Sequence, residues 1–220
     1  MDAIQFRRFT YLVSDVDISS LTISKETKER LEIAGIYQFE IYQKENNYFI
    51  LVDTKIAYDS YVVHKICSEL GIKLPSFSFE EEPLERIYEF EQQSVYKAKD
   101  GQLKTTVAPY KRFVWTLLLQ EDPELMAEYK RVHSMGQAWP EVTANMKTVG
   151  VKDMEIYLSG TQAILIMDTV PNFDLEKIGP KWQQLPRETE WQEYVAKFQR
   201  TNPESSIQEK WQDMTLITSK

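Results

Sequence analysis

The stretch from Tyr129 to Glu141, YKRVHSMGQAWPE, gathers the residue types most able to do chemistry: one of two histidines, a tyrosine four residues before it, and a Trp-Pro corner. At a spacing of four, Tyr129 and His133 project from one face of a helix and can reach one small molecule. Imidazole takes or gives a proton near neutrality, and a phenol donates a hydrogen bond that polarises an oxygen. Such a pair suits a reaction made only of proton transfers. The same spacing equally serves a histidine set against the C-terminal end of a helix dipole with the tyrosine in the core, and spacing alone leaves both readings open.

Other chemistries have fewer residues to draw on. Zinc needs three or four ligands, and the second histidine, His64, and the single cysteine, Cys67, stand in the other half of the chain. No metal or cofactor is expected. Seven glycines and no Walker loop, dinucleotide fingerprint or G-x-S-x-G elbow argue against phosphate-cradling loops and serine hydrolysis. Cys67, among Val62, Val63 and Ile66, reads as a buried structural thiol. Trp182, Trp191 and Trp211 offer either stacking faces for a sugar ring or core.

A net charge of -8 disfavours nucleic acid, and no apolar run approaches the roughly 18 to 20 residues of a membrane span. The start, MDAIQFRRF, lacks the features of a secretory signal, so a cytoplasmic location is expected.

The elements that must position the pair follow from period and punctuation. Strands are expected at Phe6 to Val13, Tyr37 to Gln43 and Tyr48 to Thr54, the last two joined as a hairpin, with a polar turn at Asp15 to Thr22. Helices are expected at Ser24 to Ala34, stopped by Gly35, and at Tyr58 to Leu70, with a fourth strand at Leu84 to Glu91. That order, β-α-β-β-α-β, is the split arrangement of ferredoxin-like folds. Ser94 to Pro109 reads as a linker. The pattern then restarts: strand Phe113 to Leu119, helix from Asp122-Pro123, a second helix after Pro140 ended by Gly150, strands Asp153 to Leu158 and Ala163 to Val170, helix Glu188 to Gln199, and strand Glu209 to Thr218.

An ungapped comparison at an offset of 115 sets Gly35 on Gly150, Glu40-Ile41-Tyr42 on Glu155-Ile156-Tyr157, and Asp53-Thr54 on Asp168-Thr169. Carboxylates present in both copies are assigned to the fold, pairing at strand ends, rather than to acid/base work. The opening strands align Arg8-Phe9 with Arg112-Phe113 at an offset of 104, so the second copy holds about 11 more residues before Gly150. The Tyr129 to Glu141 stretch lies in that interval. Two copies of one fold are present, over residues 1-93 and 110-220 with a 94-109 linker, and only the second carries the candidate site.

From about Tyr110 to Thr218 the chain resembles the L-rhamnose mutarotase family. The residues that carry the resemblance are Glu128-Tyr129 to His133, the corner Trp139-Pro140-Glu141, the strand Ile156-Tyr157-Leu158, and Trp191 with Tyr194. It implies His133 as the proton-transfer residue, Tyr129 as a substrate-contacting donor, and Trp191, Trp139, Tyr157 and position 154 around a sugar. Two departures stand out: Trp139 stands six positions after His133 rather than four, and Met154 replaces an expected tyrosine. The implied reaction interconverts the α and β anomers of a 6-deoxyhexose, L-rhamnose or L-fucose, by ring opening and reclosure without metal or redox cofactor. A sugar-binding module without turnover and a cofactor-independent oxygenase are the alternatives. Family members pair two such domains, which implies that the two copies form an intrachain pseudo-dimer of the dimeric α+β barrel type, with a monosaccharide as partner.

Overall fold

The computed structural model describes residues 4–14, 23–72, 81–200 and 210–217. The turn expected over 15–22 and the ends of the last expected strand, Glu209 and Thr218, lie outside the described residues.

Two compact units divide the chain: residues 1–85, 96–106 and 214–220, and residues 86–95 and 107–213. In the first unit, β1 (Gln5–Ser14), α1 (Lys25–Ala34), β2 (Ile36–Lys44), β3 (Asn47–Thr54) and α2 (Ser60–Glu69) follow the expected order. Both helices start where a side chain can satisfy a free amide. Ser24 Oγ accepts from Thr27 N at 3.0 Å, and an Asp59 carboxylate oxygen accepts from Val62 N at 3.0 Å. Gly35 ends α1 in the left-handed region at φ 91°.

After α2 the chain departs from a simple repeat. The expected fourth strand forms as β4 (Glu85–Glu89), but it pairs beside a strand of the second sheet. The edge position next to β1 is filled instead by β5 (Gln102–Thr105), from inside the expected linker, with Gln5 opposite Thr105 and Arg8 opposite Gln102. Alternation says that a segment is a strand and which residues share a face; it does not say which sheet edge it joins.

The second unit contains β6 (Lys111–Leu118), α3 (Pro123–His133), α4 (Pro140–Val149), β7 (Val151–Ser159), β8 (Gln162–Thr169), α5 (Leu175–Trp182), α6 (Glu188–Ala196) and β9 (Gln212–Asp213). The single strand expected at the end is two short ones: β9 pairs with β6, and β10 (Thr215–Leu216) pairs with β2. The sheet orders are β10-β2-β3-β1-β5 and β4-β7-β8-β6-β9. Each holds the ferredoxin-like four-strand order with a fifth strand added beside its second strand. The fold is therefore α+β, two tandem ferredoxin-like units.

The repeat holds at the level of single contacts. Arg8 and Asp53 face each other across β1 and β3 and form two side-chain bonds of 2.8 Å. Arg112 and Asp168 do the same across β6 and β8 at 2.7 Å. The register shifts between Ile36 and Gln38 in β2, and between Val151 and Asp153 in β7. Lys55 N donates to Gly35 O at 3.0 Å, and Val170 N to Gly150 O at 2.9 Å. The residues shared by the two copies hold the first and third strands of each unit together, as expected for Asp53 and Asp168.

Candidate active site

The two units differ in what lies between the first strand and the left-handed glycine. Among the described residues, the first has α1 alone, whereas the second has both α3 and α4. Asp122 caps α3, accepting from Glu124 N and Leu125 N at 2.9 and 3.0 Å, and Pro123 occupies the first turn. The helix ends at His133, and a turn containing Gly136 at φ 76° leads to Trp139 and Pro140 at the start of α4.

A cavity of about 120 Å³ lies within the second unit. One wall is the sheet, through Trp115, Met154, Ile156 and Leu165; the other is helical, from α3 to α6. The chain has five tryptophans, Trp115, Trp139, Trp182, Trp191 and Trp211, and all five line this cavity. Aromatic faces supply rigid apolar area, and indole N–H groups supply directional donors.

His133 is buried, with its ring centroid 4.2 Å from Tyr129, 5.5 Å from Trp191 and 6.1 Å from Tyr88. Its Nδ1 donates to the Tyr129 carbonyl at 2.8 Å. A carbonyl can only accept, so the proton sits on Nδ1 and the Nε2 lone pair is left available. Burial pushes the imidazole pKa down to about 4, against the carbonyl's opposing pull. It pushes the Tyr129 phenol upward and lifts Tyr88 to about 12. Near neutrality the site therefore holds an uncharged imidazole between two phenols that keep their protons.

Trp139 and Trp191 meet edge to face at 5.3 Å, Trp139 stacks on Tyr194 at 5.9 Å, and the Arg187 guanidinium lies 4.1 Å over the Trp139 ring. The expected residues His133, Tyr129, Trp191, Trp139 and Met154 thus come together around one cavity. Tyr157 does not join them. Side chains alternate along β7, so Met154 and Ile156 face the cavity while Tyr157 faces the other side, where its hydroxyl donates to Glu155 Oε1 at 2.8 Å. Arg86 Nη1 reaches the same Glu155 oxygen at 3.2 Å.

Sequence reasoning singled out neither Tyr88 nor the carboxyl group that lines the cavity. Glu188, at the start of α6, is 3% exposed, and its Oε1 accepts from Asn145 Nδ2 at 2.9 Å and Trp182 Nε1 at 3.1 Å. Burial raises its pKa, and the two neutral donors only partly oppose that. It stands three positions before Trp191 on the same helix, a spacing that places both on one face. α5 was also missed: Gly179 and Pro180 inside it break the helical composition, although Asp174 caps it through Lys177 N at 3.4 Å.

A sequence profile described as L-rhamnose mutarotase matches residues 112–218. The L-fucose mutarotase of Xanthomonas campestris is 30% identical over 106 residues, 48% of this chain and 85% of that protein. The chain belongs to the L-rhamnose mutarotase family. The UPF0734 protein of Dictyostelium discoideum is 33% identical over 112 residues, 49% of this chain and 88% of its own. The L-rhamnose mutarotase of Acidiphilium cryptum is 31% identical over 90 residues, 40% of this chain and 81% of its own. A monooxygenase-like protein of Listeria innocua overlays 96% of this chain and 94% of its own with a TM-score of 0.38 and 7% identity, too low to carry an argument. The family match takes in all the helices and strands of the mutarotase-like unit from Arg112 onward, including every tryptophan of the cavity.

Among the described residues no helix is long and apolar enough to cross a membrane.

Proposed function

We propose that the second unit interconverts the α and β anomers of a 6-deoxyhexose, L-rhamnose or L-fucose, by acid/base ring opening. The observation that carries this reading is the neutral His133, tied at Nδ1 and available at Nε2, at a cavity lined by five tryptophans in a chain of the mutarotase family.

Nε2 takes the proton of the anomeric hydroxyl as the bond from the anomeric carbon to the ring oxygen breaks and that oxygen gains a proton, and both transfers reverse when the aldehyde closes on its other face. Tyr129 holds its proton too tightly to transfer it and acts as a hydrogen-bond donor to a sugar oxygen. Trp139 and Trp191 pack on the sugar ring, and Met154 keeps its part of the wall apolar, which suits the methyl group of a deoxysugar.

The test is saturation-transfer NMR of anomer exchange in L-rhamnose and L-fucose with the purified chain. Accelerated exchange that is lost in His133→Ala supports the proposal; binding without acceleration of either sugar defeats it.

A further inference from the structure

A proton leaves the anomeric oxygen in ring opening and another must reach the ring oxygen, yet only the first has a partner in His133. Glu188 is the carboxyl group that lines the cavity, and burial raises its pKa, whereas the Tyr129 and Tyr88 phenols are held protonated.

Its setting differs from that of the fold-holding carboxylates. Asp53, Asp168 and Glu155 each face an arginine, whereas among the described residues Glu188 meets the neutral Asn145 amide and Trp182 indole. Both donors converge on Oε1, and Glu188 itself lines the cavity. α4 and α5 supply those donors, and α6 carries the carboxyl itself, so its position is set from three helices. Trp191, one turn further along α6, roughly 4.5 Å in axial rise, has its ring 5.5 Å from the His133 imidazole. The carboxyl, the imidazole and this indole thus line the same cavity.

We propose that Glu188 is a second catalytic residue, exchanging a proton through Oε2 with the sugar ring oxygen while His133 exchanges one with the anomeric oxygen; this rests on the mutarotase reading above. In ring opening the anomeric O–H proton passes to His133 Nε2, the bond from the anomeric carbon to the ring oxygen breaks, and the ring oxygen takes the Glu188 proton. The open aldehyde then faces imidazolium and carboxylate. Reclosure reverses both transfers on the other face of the carbonyl, and both groups end as they began. The cycle needs both groups uncharged at its start, and burial pushes each that way, lowering the imidazole pKa and raising the carboxyl pKa.

Glu188→Gln keeps an oxygen for Asn145 and Trp182 and removes only the exchangeable proton. In saturation-transfer NMR on whichever of L-rhamnose or L-fucose the wild type accelerates, this variant is expected to lose about 100-fold or more in exchange rate. Sugar affinity, read by tryptophan fluorescence, is expected to stay within about threefold, as befits a group acting on the transition state. An exchange rate within that same small range of wild type, or a rate loss matched by a binding loss, overturns the proposal while leaving the mutarotase reading intact. A wild type that accelerates neither sugar overturns both. Should the variant fail to fold by circular dichroism, the wild-type pH profile decides: kcat should fall as pH rises and Glu188 ionises, and a profile with no fall on its alkaline side overturns the role.

Discussion

The imidazole Nδ1 of His133 hydrogen-bonds the carbonyl oxygen of Tyr129, the residue one turn earlier, at 2.8 Å. One helix thus supplies the ring and fixes its tautomer, leaving Nε2 as the acceptor. Long-range proton–nitrogen NMR correlation is expected to show a His133 ring protonated at Nδ1 near neutrality and titrating at about 4. The exchange rate should fall as pH drops towards that value, because protonated Nε2 has no lone pair to offer. A His133 that titrates at its ordinary value would contradict this.

The same shift makes stability depend on pH. The folded imidazole pKa of about 4 lies below the ordinary 6.5, so between those values the unfolded chain binds a proton that the folded chain refuses. Stability is fully present above pH 6.5 and is lost as pH falls to 4, by roughly 3 kcal/mol at about 1.4 kcal/mol per unit. Glu188 has the opposite sign: its raised pKa favours the fold at low pH and gives that stability up as pH rises through the shifted value. Urea titrations of wild type and His133→Gln at several pH values isolate the histidine term, and any stability advantage of the wild type over the variant should shrink on acidification.

Arg8 with Asp53 and Arg112 with Asp168 are buried, two-point ion pairs across matching strands. Removing one partner strands a charge in the core, so Asp53→Ala and Asp168→Ala should each cost about 3–5 kcal/mol in urea unfolding. Replacing both members of one pair by apolar residues of similar volume should recover most of that loss. Equal stability of the single and double variants would show that the pairs do not hold the strands.

The tandem fold was legible because its punctuation recurs. Gly35 and Gly150 both end a helix in the left-handed region, and the shared Asp53/Asp168 and Glu40/Glu155 mark equivalent strands. The exchange of edge strands was not, because β4 and β10 are short segments whose sequence does not say which edge they join, and the choice of sheet is made by long-range packing. The cavity was half legible. Tyr129, His133, Trp139 and Trp191 stand out by type and spacing, while Glu188 looks like one more acidic residue at a helix start. What sets it apart is the company of Asn145 and Trp182, distant in sequence and brought to it by the fold. Tyr157 was misplaced for a related reason: a motif names a residue but not the side of the strand on which it points.

That two-sidedness of β7 offers a division of labour for protein engineering. Positions 154 and 156 look into the cavity, while positions 155 and 157 are occupied with Arg86 on the reverse. A library randomised at Met154 and Ile156 alone would therefore explore which sugars are accepted while leaving the strand's anchorage intact, and a library that included Glu155 or Tyr157 would mostly return unfolded chains.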